Sequence, residues 1–385
     1  MEETEFGGMR TAHSPIVVFG IILFGVLSSC SYSSSKMLTD DEVAVLFLRQ
    51  KYYSRFLFVV GAGDTTLRSF SIDNTTGSLT PAGIVSPSVA GIGIDIHPTL
   101  PYVYQTLNGS DGIEAFRFDQ TNAALTSVGV VTTGNNNSHR VRVLADGNSL
   151  FFNSVQCGNT CVWRLPLSAG LPGTQAQVNN TIPNNSQWMD VDPRGRFLYS
   201  ANNGGGFGIN MFQINGSSAL ISQGSITING GEQPSEGVFN SDGTALYALV
   251  QNTRVVAYSI NQTTGVLSLL SSDPLPGLPI LMHPKGTFLY AFNTGSGIVR
   301  TYRINADKSF TVVTDQTAGG VSFDHVCMER GGRFLFLTKF AAPGVILTYS
   351  IADNGALTPV ATLTVSGSSQ FMQCTTSIES RIGWF

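Results

Sequence analysis

The sequence is poor in charge. Only 12 % of its 385 residues are charged, the formal net charge is -4, and 42 % of the residues are hydrophobic. A chain of this composition folds as a globular protein, because it has enough apolar surface to build a core. It has no excess of basic residues that could bind a phosphate backbone, and this argues against nucleic-acid binding.

The chain also lacks a helical period beyond its first residues and has a single long apolar run, at 14–27. That run is short for a membrane span and lies close to the start, so it predicts a signal peptide over residues 1–29. The stretch LSSC that ends at Cys30 resembles a bacterial lipobox. We therefore predict lipidation of Cys30, export to the cell envelope and a tether over 30–54. An ordinary cleaved signal peptide is the alternative, and it also predicts export.

Cysteines are few, five in all, and Cys30 leaves four for the exported part. An even number in an oxidising compartment favours disulfides. Cys157 and Cys161 flank a three-residue loop and are predicted to pair. Cys327 and Cys374 are either paired or two buried thiols, and the sequence leaves both open. No cluster of side chains has the spacing of a metal site, and no cofactor is predicted.

What the chain has in abundance is a repeated apolar triplet, such as FLY after the turn HPKGT. The third residues of the seven triplets stand at positions 58, 104, 152, 199, 247, 290 and 336. Seven copies at such a constant period predict a propeller or a solenoid. Each unit reads as four short antiparallel strands separated by turn signals, which favours a propeller.

The ends of the chain predict how the ring closes. The first unit starts directly at its apolar triplet and lacks a first strand, whereas residues 370–377 supply an extra strand after the seventh unit. This extra strand is predicted to complete the first blade, since closure removes the exposed edges of an open array. The predicted fold is thus an all-β, seven-bladed propeller over residues 55–385, acting as a monomer.

The repeat resembles the lactonase-type seven-bladed propellers, which include 6-phosphogluconolactonases and carboxymuconate-cyclising enzymes. The resemblance rests on HP or DP before a turn glycine and an apolar strand, with TG-x-L further on, and covers about residues 55–377. It implies a site at the mouth of the channel built from a histidine, an arginine, a glutamate and a second arginine. His139 matches the family histidine.

The other family positions carry different residues in this chain. Gln187 and Trp188 stand at the arginine position and the residue after it, Asn203 replaces the glutamate, and Gln251 replaces the second arginine. Neutral amides cannot neutralise a substrate carboxylate or act as a general base at ordinary pH. We therefore expect that the family's catalytic set is largely lost.

Other polar residues could rebuild a site. Arg140 and Arg142 alternate on one strand and could replace the lost arginines or lie on a solvated face. The spacing places four residues around one mouth of the channel: Trp188, Glu236, Pro279 and His325. His97 and His283, which precede proline in the turns, are predicted to be structural.

Three functions remain open at this stage. The first is a lipid-anchored protein that binds a small polar ligand or a protein partner at the channel mouth. The second is an active lactone hydrolase or cycloisomerase with a rebuilt site, which His139 converging with two cations would favour. The third is a surface propeller for a host or matrix partner, which a broad apolar patch on a blade edge would favour.

Overall fold

The computed structural model describes residues 54–376, all within one compact unit that spans Arg49–Phe385. The description omits residues 62, 109–111, 133–137, 155–159, 175, 183–187, 203–207, 217–218, 229–231, 233, 251–252, 276, 278, 321–322, 340–342 and 366–371. The predicted signal peptide and almost all of the tether lie outside the described residues. Over the part that is described, the chain forms no helix suited by length and hydropathy to crossing a membrane.

The described chain folds into seven antiparallel sheets, each with an inner, a second, a third and an outer strand. The inner strands are β29 (Met372–Thr376), β4 (Ile94–Ile96), β8 (Ser138–Val143), β13 (Met189–Val191), β17 (Pro234–Phe239), β21 (Ile280–Met282) and β25 (Phe323–Met328). The second strands are β1 (Phe56–Gly61), β5 (Tyr102–Thr106), β9 (Ser149–Ser154), β14 (Phe197–Asn202), β18 (Ala245–Val250), β22 (Phe288–Asn293) and β26 (Phe334–Lys339). We number the blades one to seven in this order.

The remaining strands complete each blade outward. The third strands are β2 (Thr66–Ile72), β6 (Gly112–Phe118), β10 (Thr160–Ser168), β15 (Gly208–Ile214), β19 (Arg254–Ile260), β23 (Ile298–Ile304) and β27 (Gly344–Ile351). The outer strands are β3 (Leu79–Val85), β7 (Leu125–Thr132), β12 (Ala176–Ile182), β16 (Leu220–Thr227), β20 (Leu267–Pro274), β24 (Phe310–Thr317) and β28 (Leu357–Val365). Blade three has one strand more than predicted, since β11 (Leu171–Pro172) also pairs with β10.

The ring closes as predicted from the sequence. β29 pairs antiparallel with β1, so the last described strand completes the first blade. Each inner strand packs against the inner strand of the next blade, and β29 contacts both β25 and β4. The fold is therefore a closed seven-bladed propeller whose inner strands surround a central channel.

The repeated apolar triplet forms the second strand of each blade and lies in the core. All six residues of β1, β9 and β18 are buried. Aromatic side chains of these strands fill the space between neighbouring blades, for example Tyr199 at 0 % exposure and Phe292 at 0 %. The predicted packing role of the repeat is confirmed.

The turn histidines join neighbouring blades. The ring nitrogen Nε2 of His97 lies 3.0 Å from the carbonyl oxygen of Gly147 in the turn of the next blade. His283 repeats the contact with Gly332, also at 3.0 Å. Nδ1 of His97 accepts a hydrogen bond from the backbone amide of Thr99, so Nε2 carries the proton and donates. Both histidines are structural, as predicted.

Candidate functional site

Charged and polar side chains gather along the inner strands that surround the channel. We call this group the channel cluster, and it consists of Asp95, His139, Arg140, Arg142, Asp190, Glu236, Asp324 and His325. Its members belong to five blades, yet they interact electrostatically with one another, and Arg140 alone is influenced by Glu236, Asp190 and Asp324. The fold thus brings together charges that are far apart in the sequence.

β-Bulges aim several of these side chains. The register of β8 shifts between Ser138 and Val141, that of β17 between Pro234 and Glu236, and that of β25 between Phe323 and His325. A bulge inserts one extra residue and redirects the side chains beside it. The three bulges therefore coincide with His139 and Arg140, with Glu236, and with Asp324 and His325.

Side chains of the second strands hold two of the bulges in place. Asn153 Oδ1 accepts a hydrogen bond of 2.8 Å from the backbone amide of Arg140. Thr338 Oγ1 accepts one of 3.0 Å from the backbone amide of His325, and the same hydroxyl donates to the His325 carbonyl. These bonds satisfy backbone groups that a bulge leaves without a ladder partner, and they fix the direction of Arg140 and His325.

Arg142 is bound by an acidic partner. Its Nε donates a 2.6 Å hydrogen bond to Asp190 Oδ1, and the pair is partly buried. Asp95 faces the same guanidinium and accepts hydrogen bonds from the backbone amides of Ile96 and Val143. Burial nevertheless raises the pKa of Asp95 above its ordinary value, against the attraction of Arg142. Arg142 is thus neutralised within the protein.

Arg140 is much less committed than Arg142. Its Nη2 atom lies 3.9 Å from Oε1 of Glu236, and its guanidinium makes no hydrogen bond within the described part of the chain. Glu236 Oε2 accepts from the backbone amide of Ile280, which leaves Oε1 as the open oxygen. Burial raises the pKa of Glu236 and lowers that of Arg140, since at this distance the attraction does not offset desolvation. The guanidinium of Arg140, a hydrogen-bond donor, therefore lies beside Glu236 Oε1, an oxygen that can still accept a hydrogen bond.

The two histidines of the cluster are neutral at ordinary pH. Burial, with a smaller contribution from Arg140, lowers the pKa of His139 to about 4. Burial together with Arg140 and Arg142 lowers the pKa of His325 well below its ordinary value. A neutral imidazole has a lone pair, so His139 can accept a hydrogen bond or a proton.

The structure changes the expected ring of residues at the mouth. Trp188 is 1 % exposed and packs in the core between blades four and five, where its indole fills the space above Gly237. A side chain buried in this way cannot contact a ligand in the channel, so the predicted ligand contact of Trp188 is wrong. Arg140, Arg142, Glu236 and His325 do come together, as does His139.

Several predicted positions lie outside the described residues: Cys30, Cys157, Gln187, Asn203 and Gln251. The same holds for the side chain of Cys161, so the Cys157–Cys161 disulfide stays a prediction. Cys327 forms a disulfide, which resolves one alternative that the sequence left open. In the described ranges no three metal-ligating side chains meet in a group that could hold a metal ion.

Three acids of the cluster were missed by the sequence analysis. Asp95 and Asp190 each lie in the middle of a short apolar strand, in IDI and MDV, two residues before the turn position. Asp324 is the extra residue of the β25 bulge. A lone acid inside an apolar inner strand was the available signal for the first two, since such a residue needs a partner in the channel.

These features define a class: a seven-bladed propeller with a charged cluster at one end of its channel. The family model described as lactonase, 7-bladed beta-propeller, matches residues 174–280 and 277–373. These matches together span more than half of the chain, and the protein belongs to this family. No curated protein sequence matches it significantly.

Solved structures show the same fold at low sequence identity. A candidate 6-phosphogluconolactonase from Bacteroides fragilis has a TM-score of 0.69 and 18 % identity, covering 84 % of this chain and 98 % of that one. The periplasmic gluconolactonase PpgL from Pseudomonas aeruginosa has a TM-score of 0.70 and 15 % identity, covering 84 % and 99 %. A hypothetical selenium-binding protein from Sulfolobus tokodaii has a TM-score of 0.66 and 12 % identity, covering 84 % and 94 %. These likenesses establish the fold, which hosts more than one function.

Proposed function

We propose that the protein binds a small polar ligand at the end of the channel that holds the cluster, and that the family's hydrolytic set is largely lost. The observation that carries this proposal is the open pair formed by Arg140 and Glu236, 3.9 Å apart and each beside an inner-strand bulge, in blades three and five. Their side chains are 15 % and 11 % exposed, so a ligand would be held in a mostly desolvated place. Hydrogen bonds formed there would be strong.

The reduced charge of the family positions supports binding over hydrolysis. Gln187, Asn203 and Gln251 are neutral where the resemblance implies arginine, glutamate and arginine. Of the two cations that the cluster supplies, Arg142 is occupied by Asp190. The enzyme hypothesis required two available cations close to His139. Only Arg140 is available, so that condition is met in part.

Hydrolysis of a lactone is the second candidate, and the neutral His139 beside Arg140 favours it. His139 would accept a proton from a water molecule that attacks the lactone carbonyl, while Arg140 would donate to the oxygen that becomes negative. The ring C–O bond would then break, and the proton held by the imidazole would pass to the departing alkoxide. The Pseudomonas protein of similar fold is named a gluconolactonase, which lends support to this second candidate.

The experiment that separates the candidates measures hydrolysis of a panel of sugar lactones and dicarboxylate lactones. The proteins compared are the wild type, His139→Gln and Arg117→Met, the last changing an exposed arginine far from the cluster. We expect rates no higher than the spontaneous reaction for all three. Turnover by the wild type and Arg117→Met that is abolished in His139→Gln would replace the binding proposal with the enzyme.

We also propose that the protein is exported as a monomer and anchored in the cell envelope through a lipid on Cys30. The lipobox-like LSSC supports this, as does the disulfide at Cys327, since disulfides persist in oxidising compartments. The test is metabolic labelling with a fatty acid. Label on the wild type but not on Cys30→Ser is expected, and label on neither would overturn the anchor.

A surface role through the blade edges has less support. Among the residues that the structure describes, the two most exposed large apolar side chains are Ile84 on β3 and Leu269 on β20, at 63 % and 62 %. They belong to blades one and five, which are not neighbours, so they do not form a common patch. Apolar side chains scattered singly over a surface are ordinary and do not indicate a docking site.

A further inference from the structure

The charge of the channel cluster has an upper limit. Arg140 and Arg142 are its two cations, whereas Asp95, Asp190, Glu236 and Asp324 are its acids. With every acid ionised, the net charge is two minus four, or -2. If burial keeps both Asp95 and Glu236 protonated, it is two minus two, or zero. Because His139 and His325 are neutral, the cluster carries no net positive charge in either limit.

The absence of net positive charge restricts which ligands the site can bind. A phosphate or a second carboxylate entering a desolvated place needs a compensating cation, because burying an unpaired charge is costly. Arg142 cannot supply it without leaving Asp190 unpaired. Arg140 could supply it only against Glu236, Asp190 and Asp324, which all lie within its electrostatic reach.

A neutral hydroxyl group meets the opposite situation. Its oxygen can accept a hydrogen bond from the Arg140 guanidinium and donate its own proton to Glu236 Oε1. The 3.9 Å between Nη2 and Oε1 suits an oxygen placed about 2.8 Å from each of them. The lone pair of the neutral His139 is a further acceptor for a neighbouring hydroxyl.

We propose that the ligand of this site is a neutral polyhydroxylated molecule, of the size of a single sugar, and that the site discriminates against phosphorylated and carboxylated relatives. This inference rests on the proposed binding function and specifies its ligand class. Arg140 and Glu236 are its specificity-determining residues, since they form the open donor and acceptor.

The test uses ligands that share one ring and differ in charge: D-glucose, D-glucose 6-phosphate, D-glucuronate and D-glucosamine. Binding is measured by calorimetric titration of the full chain. We expect glucose to bind at least about tenfold more tightly than the phosphate and the uronate, because either anion would be buried without a compensating cation. Tighter binding of either anion, or of the amine, would overturn the neutral class.

Variants test the assigned residues. Arg140→Met should weaken glucose binding by about tenfold or more, and the exposed Arg117→Met should not change it. Glu236→Gln and Glu236→Leu should both weaken glucose binding by about tenfold or more, because the single oxygen of glutamine is needed by the backbone amide of Ile280 and its NH2 group cannot accept the ligand's proton. Thermal unfolding of each variant establishes that it is folded, and the selectivity of the wild type tests the ligand class without any substitution.

The outcomes separate this inference from the proposed function. An anion that binds tightly and depends on Arg140 would leave the binding site in place and overturn only the neutral class. If none of the four ligands binds at millimolar concentration, the inference of a ligand of the size of a single sugar fails, whereas the proposed binding of another small polar ligand does not. Glucose binding that is insensitive to both Arg140→Met and Glu236→Leu would place the ligand elsewhere on the protein.

Discussion

The hydroxyl of Tyr199 donates a 2.8 Å hydrogen bond to the carbonyl oxygen of Gly265, in the turn between the third and outer strands of the next blade. Tyr290 occupies the equivalent position two blades further on and is equally buried. Its hydroxyl has no hydrogen-bond partner within the described part of the chain. The repeat therefore contains the same side chain with and without the bond between blades.

Replacing the two tyrosines by phenylalanine should give different results. Tyr199→Phe leaves the Gly265 carbonyl without its donor in a buried place, so we expect a loss of about 1 to 2 kcal/mol in the free energy of unfolding. Tyr290→Phe removes a hydroxyl that makes no such bond, and its effect should be close to zero or stabilising. Urea unfolding of both variants measures the difference, and equal losses would show that the bond contributes nothing.

Two turn glycines separate backbone strain from side-chain contact. Gly332 and Gly195 both adopt the left-handed conformation, with φ of 73° and 69°. A Cβ at Gly332 would lie 2.4 Å from Nε2 of His283, whereas the nearest atom to a Cβ at Gly195 is 3.8 Å away, on Leu144. Because alanine is strained in this conformation, both alanine variants should lose about 1 kcal/mol in the free energy of unfolding.

The Gly332→Ala variant should lose more than this. Its methyl group would displace the His283 ring and break the bond to the Gly332 carbonyl, which adds about 1 to 3 kcal/mol. The free energies of unfolding of Gly332→Ala and Gly195→Ala, measured together, check this. A Gly332→Ala variant no less stable than Gly195→Ala would contradict the structural role of His283.

The architecture could be predicted from the sequence because its causes are local and repeated. The apolar triplets, the turn glycines and an extra strand near the end are all visible in the residues, and the structure has that strand as β29, Met372–Thr376. The placement of Glu236 and His325 at one end of the channel also followed from the spacing, whereas Arg140 was left open between the channel and a solvated face. Both predictions depend only on counting residues along regular strands.

The details of the site could not be predicted in this way. A bulge adds one residue and changes which side chain faces the channel, and the alternating pattern of a strand does not reveal it. Asp324 was missed because it is such an extra residue. Trp188 was misplaced for a related reason: it lies just before β13 as expected, but the small Gly237 opposite allows its indole into the core.

The buried neutral His139 should make stability depend on pH. Its pKa falls from 6.5 to about 4 on folding, so the unfolded chain binds more protons between these values. The stabilisation is fully present above pH 6.5 and is lost as the pH falls towards 4. Between about pH 7 and about pH 5 the loss from this residue is at most about 2 kcal/mol.

The variant His139→Gln isolates this contribution. The glutamine does not titrate, so His139→Gln should lose less stability than the wild type between the same two pH values. Taking the difference between the two proteins cancels the other groups, including His325 and the acids. Urea unfolding at both pH values measures it, and parallel pH dependences would mean that His139 is not buried in its neutral form.

The disulfide of Cys327 should stabilise the closed ring. Cys327 lies on β25, which packs against β29, and β29 carries Cys374 opposite Val59 in the ladder with β1. We therefore expect Cys374 to be the partner, so that the bond joins the last blade to the strand that completes the first. Such a bond restricts the conformations of the unfolded chain. Its loss should therefore lower the free energy of unfolding by about 2 to 4 kcal/mol.

A double variant, Cys327→Ser with Cys374→Ser, removes the bond without leaving an unpaired thiol. We expect it to unfold at a lower temperature than the wild type and to be unaffected by a reductant, whereas the wild type should fall to the same level once reduced. Peptide mapping without reduction identifies the partner of Cys327. A wild type whose unfolding ignores the reductant, although mapping shows the bond broken, would mean that strand pairing between β29 and β1 alone holds the ring closed.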